Sequence, residues 1–107
     1  MPNPSRISAI AAGQAYATDG AFEAELAARV AHPTASQDLP ASLPALTRYL
    51  TDEIAPAFAP MGFTTRIYPN PVTGQGPILL ASRMEDPALV TVLGYGHGDV
   101  IRGQDAL

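Results

Sequence analysis

The sequence predicts an α/β chain in which two or three N-terminal helices precede three strands of a mixed sheet. Three observations carry that reading. Apolar residues recur at helical spacing through the first sixty or so positions, the pattern switches to a period of two after Gly62, and Leu89–Leu93 is almost entirely apolar, as an inner strand covered on both faces would be. The length of 107 residues suits one domain better than two. Hydrophobic residues make up 47% of the chain, but 19 of them are alanine, so the larger apolar side chains can build only a modest core.

Each element follows in order. Met1–Pro4 holds two prolines and reads as a frayed start, and the Ala-rich stretch from Ser5 to Tyr16, with Ile7, Ile10 and Ala11 at helical spacing, reads as a short additional helix within residues 1–18. Thr18-Asp19-Gly20 offers a break and a cap for the next helix. There Phe22, Leu26 and Val30 form one stripe, Glu23 and Glu25 come early and Arg29 late, in the order that suits a helix dipole. Pro33 ends this helix at or before His32, because the residue preceding a proline avoids the α region. A polar connection, Thr34–Asp38, leads to a second amphipathic pattern through Leu43, Leu46, Leu50, Ile54, Phe58 and Met61. Pro44 is tolerable in its first turn, Pro56 removes a helical hydrogen bond and should kink or divide it, and Pro60 with Gly62 marks its end. Phe63, Thr65 and Ile67 then alternate with Thr64, Arg66 and Tyr68 as a half-buried strand; Pro69–Gly76 is a loop, Ile78–Met84 a second strand, Glu85-Asp86-Pro87 a turn, and Leu89–Leu93 the third strand.

Composition excludes several functions. The net charge is −4, with six basic residues, all arginine and unclustered, which argues against nucleic acid as a main partner. The absence of cysteine removes disulfides, thiol catalysis and Cys-ligated zinc. No apolar run approaches the roughly 20 residues of a membrane span, and Met1–Arg6 lacks the basic start and apolar stretch of a signal peptide. The expectation is a soluble, cytoplasmic chain with no membrane partner.

Few residues are placed for chemistry. Gly96-His97-Gly98-Asp99 stands at the C-terminal end of the third expected strand, where sites in α/β sheets assemble. In extended chain His97 and Asp99 point to the same side, about 6.5–7 Å apart at Cα. Neutral imidazole is a common metal ligand and a carboxylate can coordinate beside it or orient it; equally, the two can form a hydrogen-bonded pair within a turn. Gly94, Gly96 and Gly98 lack the spacing of a phosphate loop, and no helix pattern opens after them. His32, beside Pro33, reads as a capping or solvent-facing residue, Asp52-Glu53 as a solvated surface, and Glu85-Asp86 as turn chemistry. Ser36 and Ser82 have no nucleophile-elbow context.

The run Leu89-Val90-Thr91-Val92-Leu93-Gly94-Tyr95-Gly96-His97-Gly98-Asp99-Val100 resembles the first metal-binding motif of the co-catalytic zinc metallopeptidase/deacylase family, which includes acetylornithine deacetylase, succinyl-diaminopimelate desuccinylase, aminoacylase, carboxypeptidase G and several dipeptidases. Arg29–Ser36, with its Pro33-Thr34-Ala35-Ser36, is similar to that family's helix followed by a Pro-Thr/Ser-x-Ser segment. Leu46 to Gly62-Phe63 is similar to the next helix, which ends in Gly-Phe before the first strand. The resemblance implies an α/β/α zinc-peptidase catalytic domain of which residues 1–107 form the N-terminal part. It implies His97 as a terminal ligand of one zinc and Asp99 as the catalytic carboxylate that orients it. It further implies two zinc ions in the complete enzyme (cobalt being an alternative), a small peptide or N-acyl amino acid as substrate, and a homodimer. A bridging Asp, a Glu general base, an acidic ligand and a distant His would follow Leu107. Ile101-Arg102 departs from the proline that many members carry soon after this motif. Two features agree with a partial domain: Ile101–Leu107 has no helix stop or polar tail, and the apolar third strand has helices only before it. The isolated chain is accordingly expected to be inactive. The reading from a different class is a complete small α/β binding or scaffold module whose Gly-rich strand end grips a ligand or partner.

Overall fold

The structure is a computed structural model and describes residues 5–103; the expectations for Met1–Pro4 and for the last four residues lie outside that range. The chain divides into two compact units, Met1–Ala31 and His32–Leu107.

The first unit is a helical hairpin. Helix α1 spans Arg6–Thr18, two residues beyond the Ala-rich pattern, and Ser5 caps it by accepting a hydrogen bond from the Ser8 N–H at 3.2 Å. Helix α2 spans Ala21–Val30. Asp19 accepts from the Ala21 N–H at 2.8 Å, while Gly20, at φ 89°, makes the left-handed turn between the helices. The hairpin is held by few contacts. Tyr16 stacks edge-on against Phe22 with ring centroids 5.9 Å apart, and its hydroxyl donates to Glu25 at 2.8 Å. Glu25 also pairs with Arg29 at 3.2 Å, one turn along α2, as the early-acid, late-base order suggests. No residue of either helix is fully buried.

The second unit carries the sheet. Its helical stretch runs as α3 (Leu43–Arg48), a π-helical turn (Tyr49–Ile54), α4 (Ala55–Phe58) and a closing 3₁₀ turn (Ala59–Met61). The expected division at Pro56 takes a specific form. Proline has no N–H to give the preceding turn, and the backbone widens into the π turn just before it. Gly62, at φ 83°, stops the helix and turns the chain into the sheet.

Strands β1 (Thr64–Tyr68) and β2 (Ile78–Ser82) form a two-stranded antiparallel sheet with Thr65 opposite Ala81 and Ile67 opposite Leu79. These two pairs share a face, on which Thr65, Leu79 and Ala81 are half-buried, and α4 packs against both strands. Phe58 of α4 meets Phe63 edge-on at 5.1 Å. Ile78 and Leu80 point to the opposite face and are each 51% exposed. Among the described residues, Ala45 is the only hydrophobic residue that is buried, an even smaller core than composition suggested.

The mixed α/β character holds, but the three-strand expectation needs correction. Leu89–Leu93 pairs with no strand among the described residues. A strand exists by virtue of a neighbour that takes its N–H and C=O groups, and β1 and β2 pair with each other. Val90, Val92 and Leu93 are consequently exposed by 91%, 87% and 90%. No helix among the described residues is long and apolar enough to cross a membrane.

Candidate functional site

Beyond this unpaired run the chain is fastened again. Residues 97–102 lie along the polar connection that follows Pro33, and the two segments meet in a single parallel bridge between Ala35 and Val100. Thr34 is the centre of the junction. It is only 1% exposed, so each of its polar groups needs a partner. Its N–H donates to the His32 carbonyl at 2.8 Å, its hydroxyl donates to the Gly98 carbonyl at 2.8 Å, and its carbonyl accepts from the Val100 N–H at 3.1 Å. Arg102 extends the clamp: its backbone N–H donates to the Gln37 side chain at 2.9 Å, Nε to Asp38 at 2.6 Å, and Nη2 to the Gln37 carbonyl at 2.9 Å.

Gly98 is there for space. A Cβ at this position would collide with the Tyr49 ring, standing 2.7 Å from Cδ1 and 3.1 Å from Cζ. Gly94 and Gly96 have nothing within 4 Å of the equivalent point. Tyr49 is itself held by the His32 ring, edge-on at 5.7 Å, and His32 Nε2 lies 3.1 Å from Glu53 Oε1. Neither residue is where the sequence suggested. Both are half-buried and pair with each other, rather than capping a helix end and facing solvent. Tyr49 and Glu53 lie four apart on one helical stretch and His32 meets both, a contact that no spacing in the sequence announces.

Against this support stand the two residues singled out by the sequence. His97 Nδ1 lies 2.9 Å from Asp99 Oδ1 and 3.3 Å from the Asp99 carbonyl oxygen. A carboxylate only accepts, so in the neutral ring the proton sits on Nδ1 and the Nε2 lone pair is open. The imidazole is 69% exposed. The second carboxylate oxygen, Asp99 Oδ2, accepts from the Ser36 hydroxyl at 2.8 Å. That bond is the largest cause holding the Asp99 carboxyl below its ordinary range; slight burial opposes it and the neighbouring imidazole assists. Ser36, dismissed as a nucleophile, thus belongs to the site in another capacity. Its proton goes to the carboxylate and not to the imidazole, so the order Ser–Asp–His activates no hydroxyl.

An imidazole fixed through Nδ1 by a carboxylate, with Nε2 facing solvent, has the donor chemistry of one metal ligand with its orienting partner. It fits one position of a zinc site. A catalytic zinc takes about three protein ligands, and among the described residues no three His, Cys, Asp or Glu side chains converge. No protein-family model, curated protein or solved structure matches the chain.

Proposed function

We propose that this chain is the N-terminal part of a zinc-dependent amidohydrolase or peptidase acting on dipeptides, C-terminal residues or N-acyl amino acids. The observation that carries the reading is the Asp99 carboxylate on Nδ1 of an exposed His97, 2.9 Å away, which leaves Nε2 to ligate. Two apolar surfaces support it: the outer face of β2, with Ile78 and Leu80, and the run through Val90, Val92 and Leu93, both of which further sheet and helix layers would cover. When bound, zinc would supply Lewis acidity and an acidified water for attack on an amide carbonyl. His97 would hold one ion through Nε2, and Asp99 would keep the ring in the ligating tautomer. The other ligands and the general base would come from sequence after Leu107, and the isolated chain would be inactive.

The test is metal analysis and hydrolysis of N-acyl amino acids and dipeptides, with this segment expressed together with the coding sequence that follows it. Removing the ligand in His97→Ala should cost one zinc and nearly all hydrolysis. Asp99→Asn should retain more metal and lose affinity or activity by roughly 10–100-fold, as changes to an orienting partner do. Unchanged zinc in His97→Ala would overturn the ligand assignment. A stop codon directly after Leu107 in an intact, expressed gene would favour the binding-module reading.

A further inference from the structure

We infer that Ser36 is a positioning residue for His97, acting through Asp99 to select which imidazole nitrogen is open. The relevance to metal binding rests on the ligand reading above, but the geometry does not. Asp99 is 42% exposed on its side chain, and a carboxylate that accessible rotates freely unless something holds its far oxygen. The Ser36 hydroxyl does so at 2.8 Å from Oδ2, which turns Oδ1 toward His97 Nδ1 at 2.9 Å. Ser36 is in turn fixed from outside the pair. The Thr34 hydroxyl holds the Gly98 carbonyl, the Val100 N–H bonds the Thr34 carbonyl, and Tyr49 closes the space at Gly98, so the backbone bearing Asp99 cannot drift away from residue 36. A solvated neutral imidazole prefers its proton on Nε2. Here a serine 61 positions before the histidine biases it to Nδ1.

The proposal can be tested on the metal-free chain by two-bond ¹H–¹⁵N correlation spectra of the imidazoles at a pH where the rings are neutral. His97→Gln identifies which of the two histidines is which. The wild-type His97 should be mainly the Nδ1–H tautomer, and Ser36→Ala should lower its Nδ1–H to Nε2–H ratio by about fivefold, the net scale of one ordinary hydrogen bond. Ser36→Thr, which keeps the hydroxyl, should restore it. His32, paired with Glu53, should be unaffected in all variants and reports an intact fold. A wild-type His97 that is mainly Nε2–H, or a ratio unchanged in a folded Ser36→Ala chain, overturns the proposal. Should Ser36→Ala fail to fold, Ser36→Cys, a weak donor of similar volume, is read in its place with the same two outcomes. The spectra contain no metal, so they stand or fall separately from the zinc assignment.

Discussion

Two neighbouring stretches of chain, residues 89–95 and 97–102, meet very different fates. The first has the more strand-like sequence, yet no backbone hydrogen bond joins residues 90–97 to any other among the described residues. Tyr95 is 92% exposed. The second is poor in apolar residues, but it is tied down by Thr34, Ser36, Gln37 and Asp38 through side chains and backbone alike. Apolar character creates a demand for cover, whereas order comes from groups that find specific partners. The candidate site sits on the stretch that found them.

The contrast can be broken most severely at Gly98. Placing a methyl group there in Gly98→Ala forces either the Tyr49 ring or the loop to move, an overpacking cost of about 1–3 kcal/mol. The chemically identical change two residues earlier, Gly96→Ala, meets open space and should stay within about 0.5 kcal/mol. Urea unfolding of the two variants compares them directly, and equal midpoints would show that the anchored segment is no more fixed than the loose one. A smaller effect on stability, with a larger one on association, is expected at Val92→Lys. The side chain is 87% exposed, so unfolding should shift by no more than about 0.5 kcal/mol. Self-association by light scattering should fall sharply, because a charge interrupts an exposed, unpaired apolar run. Association that is indifferent to Val92→Lys would mean that another surface drives it.

The smallest effect lies outside both stretches, in the helical hairpin. The Tyr16 phenol is raised above the ordinary tyrosine value, chiefly by its hydrogen bond to Glu25, with the carboxylate's charge acting in the same direction. A raised folded value means that this contribution is fully present below the ordinary tyrosine value and is lost as the pH climbs through the raised one. In an ultraviolet titration Tyr16 should contribute a late component, and Tyr16→Phe should delete it. A late component that survives in Tyr16→Phe would assign it to another ring.

Much of the local architecture was legible because it depends on neighbours in sequence. Pro33 ended α2, Gly62 ended the second helical stretch, and the alternation from Phe63 gave β1, with ends one or two residues off. What could not be read was pairing across distance. An apolar run such as Leu89–Leu93 states what environment it would suit, and says nothing about whether a partner strand reaches it. Ser36 stands in a segment that the resemblance picks out, but its role could not be read there, because it depends on a carboxylate 63 residues away. His32 reads from its place beside Pro33 as a capping or solvent-facing residue and Glu53 as part of a solvated helix surface, yet a 21-residue separation closes into one contact. His97 and Asp99, two residues apart, were the part of the site whose proximity could be read from spacing alone.

The contact between Gly98 and Tyr49 also constrains how this chain can change over time. With the ring in place, any side chain at 98 overlaps it, whereas a smaller residue at 49 leaves room. The two positions are therefore not exchangeable in order. A lineage that trims the ring first crosses a cavity, a graded loss; one that enlarges position 98 first crosses a collision beside the His97–Asp99 pair. Homologous chains should show a side chain at 98 only where the aromatic at 49 has already gone.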